Sequence, residues 1–355
     1  MSTADRKLEH IKICLEKNVE SKYTGFEDVM LIHKALPEIN YDDINTEVKF
    51  FGKKLSAPFL IASMTGGHKE TIEINKNLAK AVEELNLGMG VGSQRAAIED
   101  SSLVESFTVV RDYAPTAFIY ANVGISQILE HGVEFAEKAI EMIDADALAL
   151  HLNFLQELIQ PEGNVNAQGC IDAIKDVCKS VKVPVIIKET GAGICREIGL
   201  AIKKAGASAL DVGGKGGTSW SGVESYRVKD EITRKIGRDF WNWGIPTAFC
   251  VAEVYDILPT IATGGIRCGL DIAKALALGA KLASAALPFL RPATTSSEEV
   301  KKTLKYFIKG LKTAMFLTGC ETVNELRKVP IVVHGKFKDW LEVRGFDVKK
   351  FCRHR

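Results

Sequence analysis

Eight short apolar runs recur along the chain: Phe59–Ser63, Gly88–Gly92, Ala117–Asn122, Ala147–Leu152, Val185–Lys188, Ala209–Val212, Thr260–Ala262 and Lys281–Ala285. Most are separated by a stretch with helical spacing, as in Glu70–Leu85, Ile125–Ile143, Gln168–Lys179 and Arg196–Ala205. Strands joined through helices re-enter a sheet in the same direction, so this rhythm predicts parallel pairing. Eight such units predict an α/β chain folded as a closed (β/α)8 TIM barrel; an open doubly wound sheet is the competitor. At 355 residues, 46% of them hydrophobic, the chain holds enough apolar material for one large core. We read a single domain over 1–355: an N-terminal extension over 1–57 that contributes to the substrate site, a barrel over 58–320 and a C-terminal tail over 321–355.

The extension opens with a helix from Thr3 to about Asn18, followed by an irregular, acidic segment from Leu36 to Phe50. After the last strand, Ser296–Gly319 reads as the final helix, and the tail bearing Lys349, Lys350, Arg353 and Arg355 reads as solvated. A net charge of +1 gives no broad basic field for nucleic acid or an anionic membrane, so an anionic ligand has to be met locally. No apolar run reaches the length of a membrane span, and the eight cysteines form no C-x-x-C pair, so the expectation is a cytoplasmic protein that keeps its thiols reduced. His33, His68, His131, His334 and His354 show no metal-ligand spacing, and Trp220, Trp241 and Trp243 read as packing or interface residues.

In a TIM barrel, chemistry gathers at the carboxyl ends of the strands. Here those ends are unusually polar and glycine-rich: Ser63-Met64-Thr65-Gly66-Gly67, Ser93-Gln94-Arg95, Asn122, His151 with Asn153, Gln156 and Glu157, Lys188-Glu189, and Gly213-Gly-Lys-Gly-Gly-Thr218. Gly264-Gly265-Ile266-Arg267 lies between the seventh strand and an amphipathic helix. It either cradles a phosphate against the helix N-terminus or simply makes a tight turn. Lys188 follows Val-Ile-Ile and is either a ligand residue or the partner of Glu189 or Asp211. Arg6 and His10, four apart, share a helix face with Lys7 beside them, and the three either converge on a diphosphate or face solvent. A ring of donors, one phosphate cradle and a mid-barrel lysine together suit a flavin mononucleotide lying across the mouth.

These blocks, taken in order from Arg6-Lys7-x-Glu9-His10 through His151-Leu-Asn153-x-x-Gln156-Glu157 to the Gly264–Arg267 turn, closely resemble the type 2 isopentenyl diphosphate isomerases. The Ser-Gln-Arg and His-Leu-Asn-x-x-Gln-Glu blocks carry the specificity. The sequence departs from the family at Phe154, where proline is common. The resemblance implies an isomerase of isoprenoid biosynthesis that moves a proton along the allylic system of isopentenyl diphosphate to give dimethylallyl diphosphate. It implies reduced FMN as acid and base, NADPH as priming reductant and Mg2+ on the substrate. Ser63, Met64, Thr65, Ser93, Asn122, Lys188, Thr218, Gly264, Gly265, Ile266, Arg267, Ala286 and Leu287 are implied to hold the flavin. Arg6, Lys7, His10, Ser93, Gln94, Arg95 and Asn153 are implied to hold the substrate, with Gln156 beside the double bond, His151 orienting the site and Glu157 on the metal. A homo-oligomer, tetramer or octamer, is expected.

Two rivals stay in view. An FMN-dependent oxidase or dehydrogenase of a 2-hydroxy acid shares the glycine turn, but needs a histidine base and an arginine after the sixth strand, where Gly213-Gly-Lys-Gly-Gly-Thr-Ser-Trp220 has neither. A non-enzymatic flavin or phosphate sensor has no use for so many polar strand ends.

Overall fold

The computed structural model describes residues 3–353. Eight parallel strands close into a barrel: β1 (Phe59–Ile61), β2 (Gly88–Gly90), β3 (Phe118–Gly124), β4 (Ala147–Leu152), β5 (Val185–Glu189), β6 (Ala209–Asp211), β7 (Thr260–Thr263) and β8 (Leu282–Ala285). Closure is made by β8 on β1, with Ala285 beside Ile61. Every apolar run therefore became a strand, displaced at its ends by at most two residues. One register matters for the site: Gly124, His151, Lys188 and Asp211 stand side by side across β3, β4, β5 and β6, in one layer near the strands' carboxyl ends.

The Ile125–Ile143 stretch is two helices, Ile125–His131 and Val133–Met142, broken at Gly132 in the left-handed region (φ 75°). Helix Ser297–Leu317 packs behind the β7 turn so closely that a methyl at Gly269 would fall 2.2 Å from Leu311 N. Glycine is therefore required there for close approach of two helices.

Two readings of the chain ends are corrected. The segment expected to be irregular up to Phe50 ends in a hairpin, Val48–Phe50 with Lys53–Leu55, turning through Phe51 and Gly52 at positive φ. Phe50 packs edge-on against Phe118 at 5.6 Å, at the start of β3, so the hairpin covers the amino end of the barrel. Ser297–Leu317 is not the final helix. Strand Ile331–Val333 pairs antiparallel with Val29–Leu31, and helices Gly335–Val343 and Val348–Arg353 follow. Phe337, Leu341 and Phe351 are buried. The buried Glu253 carboxylate accepts from Arg344 Nε (2.8 Å) and Trp340 Nε1 (2.9 Å), which ties this end to the barrel. Apolar residues at helical spacing outweigh the charges that made the segment look solvated. Lys349, Lys350 and Arg353 are exposed as expected; His354 and Arg355 lie outside the described residues. Among the described residues no helix is long and apolar enough to cross a membrane, and the eight cysteines are free.

Candidate active site

One large cavity opens at the carboxyl ends of the strands and is roofed by the helix Thr3–Glu16. Two glycine loops build its far side. In the β7 turn Gly264 (φ 114°) and Gly265 (φ 74°) hold conformations that other residues resist, and a methyl on Gly264 would fall 2.0 Å from Gly214 O. A methyl on Gly217 would fall 2.7 Å from Gly265 N. The loops after β6 and β7 thus touch through bare backbone, leaving a side-chain-free cradle beside Thr218, Ala286 and Leu287. The extension clamps this cradle: Ser21 N donates to Gly217 O (2.8 Å), and Arg267 Nε donates to Glu20 Oε1 (2.8 Å).

Across the floor, Lys188 Nζ lies 3.2 Å from Asp211 Oδ2, and both side chains are almost wholly buried. Its reach to Glu189 goes to the backbone carbonyl, also at 3.2 Å, so of the two acids considered, Asp211 is the ionic partner. Next to it, His151 Nδ1 lies 2.9 Å from Asn122 Oδ1, while Asn122 Nδ2 donates to Val91 O (3.2 Å). The second bond fixes the amide, so the imidazole proton sits on Nδ1 and Nε2 keeps its lone pair. Burial, reinforced by the charges of Lys7 and Lys188, pushes the His151 pKa down to about 3, so the ring is neutral at physiological pH. At the β1 end Ser63, Met64 and Thr65 line the cavity, and Thr65 Oγ1 is buried without a hydrogen-bond partner among the described residues. An orphaned hydroxyl, a buried lysine and a backbone cradle fit a phosphate-bearing, ring-shaped cofactor.

The roof meets the floor at Glu224, on helix Trp220–Arg227, a carboxylate with no exposed surface. Gln156 Nε2 donates to its Oε1 (2.8 Å), His10 Nε2 lies 2.8 Å from the same atom, and Arg227 holds Oε2. Burial opposes charge on Glu224, but His10, Arg227 and Gln156 outweigh it and hold the carboxyl below its ordinary range. Gln160 joins the group: with its amide oriented to suit both neighbours, it donates to Glu224 Oε1 (3.3 Å) and accepts from Arg6 Nη1 (2.9 Å). Lys7 Nζ donates to Ser93 O (2.8 Å). Burial and then the charge of Arg6 depress its pKa to about 7.

Phe154 does not disturb its loop. Helix Phe154–Ile159 forms behind Asn153 and presents both Gln156 and Glu157 to the cavity. Asn153 Nδ2 donates to Gln156 Oε1 (3.2 Å) and Glu157 Oε1 (2.9 Å), and Asn164 N donates to Glu157 Oε2 (2.8 Å). The fold-back over Glu157 needs Gly163, where a methyl would fall 1.8 Å from Glu157 O. Among the described residues no group of three or more His, Cys, Asp or Glu side chains could by itself hold a metal ion.

Nearly all the residues to which the resemblance gives a role line this one cavity. Two stand apart. Gln94, expected on the substrate, has no exposed surface: its Nε2 donates to Ala139 O (2.8 Å) and its Oε1 accepts from Asn122 N (3.0 Å), so it braces the floor from behind. Ile266 is likewise fully buried, behind the turn. Arg95 and Arg267 reach the cavity with guanidinium groups already paired to Glu99 and Glu20. Trp220, read as packing or interface, forms part of the wall and meets the His10 ring edge-on at 5.3 Å. Sequence reasoning missed Glu224. A single carboxylate in the motif-free run Trp-Ser-Gly-Val-Glu carries no signal of its own.

A closed parallel barrel whose mouth holds a side-chain-free backbone cradle and a buried strand lysine suits a flavin mononucleotide, and the model of the FMN-dependent dehydrogenase family matches residues 122–332. In fold the chain is similar to solved structures of a mandelate oxidase variant (TM-score 0.61, 18% identity, 92% of each chain) and of the lactate oxidase of Pediococcus acidilactici (TM-score 0.64, 17% identity, 92% of this chain and 87% of that one). The isopentenyl-diphosphate delta-isomerase of Archaeoglobus fulgidus is 63% identical over 97% of this chain and 100% of its own length. That of Methanosarcina mazei is 56% identical over 98% and 97%. The chain belongs to the isopentenyl-diphosphate delta-isomerases, of the FMN-dependent second type.

Proposed function

We propose that this chain interconverts isopentenyl and dimethylallyl diphosphate on reduced FMN, which NADPH regenerates when needed rather than at each turnover. Glu157 would hold Mg2+, because one carboxylate plus phosphate oxygens and water suits a hard cation, and the ion would supply charge neutralisation for the diphosphate. We place the reaction in the cytoplasm, in isoprenoid biosynthesis, and the enzyme in a homo-oligomer, tetramer or octamer. The observation that carries the reading is Gln156: its amide is fixed at both ends, by Glu224 and by Asn153, in the wall between the cationic roof and the flavin cradle.

The flavin site would comprise Ser63, Met64, Thr65, Ser93, Asn122, Lys188, Thr218, the Gly264–Arg267 turn with Ile266 supplying backbone only, Ala286 and Leu287. Reduced FMN supplies electron density and an exchangeable proton next to an alkene that is barely basic. The chain's own groups do the rest. Arg6, Lys7 and Arg95 neutralise the diphosphate, with Ser93, His10 and Asn153 completing its cage. Gln156 holds the five-carbon chain in one orientation without adding charge. His151, neutral and bonded to Asn122, likewise adds no positive charge where the substrate carbon becomes cationic. Ile11, Trp220, Leu287 and Leu290 offer apolar walls that keep water from that carbon. Oxidation of a 2-hydroxy acid fits poorly, because the wall after β6 consists of Gly213, Gly214, Gly217, Thr218 and Trp220, with no base among them.

Lys7 gives this reading a pH signature. Its pKa in the ligand-free chain is about 7, whereas a bound diphosphate favours the ammonium. Above pH 7 the free enzyme has lost that proton and must take it back on binding, so affinity falls as pH rises, by about tenfold per unit at the limit. Diphosphate titrations from pH 6 to 9 are expected to show this slope in the wild type and to lose it in Lys7→Gln; an unchanged slope in Lys7→Gln would remove Lys7 from the diphosphate site. The cofactor is checked by absorbance. The purified protein should be yellow, or turn yellow with added FMN, and should bleach under anaerobic NADPH. A colourless protein that refuses FMN excludes the reading.

A further inference from the structure

The residues assigned to the substrate stand on separate elements: Arg6, Lys7 and His10 on the roof helix Thr3–Glu16, and Gln156 and Glu157 on helix Phe154–Ile159, with Glu224 behind them on helix Trp220–Arg227. One guanidinium touches all three. Arg227 holds Glu224 Oε2, donates from Nε to Glu9 Oε2 on the roof helix (2.8 Å), and pairs through Nη2 with Glu162 Oε1 (3.5 Å) in the turn that follows Gln160. Its side chain is only 3% exposed, and it does not line the cavity.

A guanidinium carries its donors in a rigid planar fork, so Nε, Nη1 and Nη2 can reach three carboxylates in fixed relative positions. Each of those carboxylates fixes a part of the site. Glu9 lies between Lys7 and His10, and Glu224 binds His10 and Gln156 through its other oxygen. Glu162 lies between Gln160, which joins Glu224 to Arg6, and Gly163, whose fold-back covers Glu157. Without the guanidinium, Glu9, Glu162 and Glu224 would add uncompensated negative charge beside the place where an anionic substrate has to enter.

We propose that Arg227 is a positioning residue for the isomerisation: without touching substrate, it joins Glu9, Glu162 and Glu224 and so fixes the roof helix over Gln156 and Glu157 in the arrangement that receives the diphosphate. The assignment rests on the isomerase reading of the same site.

The test compares FMN-loaded wild type, Arg227→Met, Arg227→Lys and Glu9→Gln by affinity for inorganic diphosphate, affinity for FMN and the pH profile of kcat. If the closed arrangement is populated a tenth as often, the apparent Kd rises tenfold. Arg227→Met should therefore raise the diphosphate Kd about tenfold or more and Glu9→Gln by less, with FMN affinity unchanged in both. Arg227→Lys keeps a cation but not the fork, and should recover only part of the loss. The pH profile separates positioning from mere support. The Glu224 carboxyl faces His10 on the roof helix, Arg227 on its own helix and the Gln156 amide, with Arg6 and Cys14 further off. His10, Arg227 and Gln156 hold it below its ordinary range, so loss of Arg227 moves it up. Once protonated it cannot accept from both His10 and Gln156, so kcat should fall on the acid side at a higher pH in Arg227→Met than in the wild type. Unchanged diphosphate affinity, a parallel loss of FMN affinity, full wild-type behaviour in Arg227→Lys, or an acid limb that stays in place overturns the proposal. If Arg227→Met does not fold, Arg227→Lys is read by the same criteria. Failure of the isomerase reading looks different, because the wild type itself would then neither bind diphosphate nor form the allylic product.

Discussion

Replacing Lys188 with methionine is expected to abolish FMN-dependent turnover and to destabilise the fold by about 3–5 kcal/mol in chemical denaturation. The size of the effect comes from Asp211. Its side chain is 2% exposed and lies 3.2 Å from Lys188 Nζ, and without that cation the carboxylate stays buried with only a 3.3 Å contact from Gly213 N. Removing one member of a buried pair costs far more than the pair contributes, because the survivor keeps its desolvation penalty. The double substitution Lys188→Met with Asp211→Asn separates the two roles. Stability should largely return, since no buried charge remains unpaired, while activity should stay down by about two to three orders of magnitude, since the cation proposed to face the flavin is still missing. Recovery of activity along with stability would show that Lys188 is only structural.

Gln156→Ala is the second large effect, and it should separate in the opposite sense. Gln156 is partly exposed to the cavity and lies on a short helix, so its loss should cost little stability. Turnover with prereduced FMN is expected to fall about 10²–10³-fold, with FMN affinity unchanged, because orientation of the reacting chain is lost while the cofactor site is intact. Glu224 then loses one partner but keeps His10 and Arg227, so the roof should remain closed. Unchanged turnover in Gln156→Ala would remove the residue from the reaction.

The barrel was legible because strand and helix periods differ, and eight repetitions leave few other ways to arrange the chain. What was not legible followed from short elements and long-range pairing. The hairpin Val48–Leu55 has three-residue strands, too short for a period to emerge, and the strand Ile331–Val333 finds its partner Val29–Leu31 about three hundred residues away. The site shows the same division. Residues immediately after strands reach the cavity because the barrel's geometry puts them there, which is why Ser93, His151 and Lys188 could be named in advance. Gln94 sits in the same block as Ser93 and Arg95, but its side chain turns inward, a distinction that proximity to a strand end cannot make. Glu224 and Trp220 come from a helix after β6; helices beyond the loops contribute side chains to the mouth, and their facing depends on how each loop folds back. We propose the division of the chain at residues 57 and 320, and the clamp of Ser21 and Glu20 on the cradle supports treating the extension as part of the site rather than an appendage.

The central claim is that protons, and not electrons, are exchanged with the substrate over a reduced flavin. Anaerobic turnover of isopentenyl diphosphate in deuterated water, with FMN reduced beforehand and NADPH withheld, tests it most directly. The account predicts deuterium in the dimethylallyl product over many turnovers while the flavin spectrum stays reduced. Product without solvent label, or flavin oxidised in step with product, would contradict it.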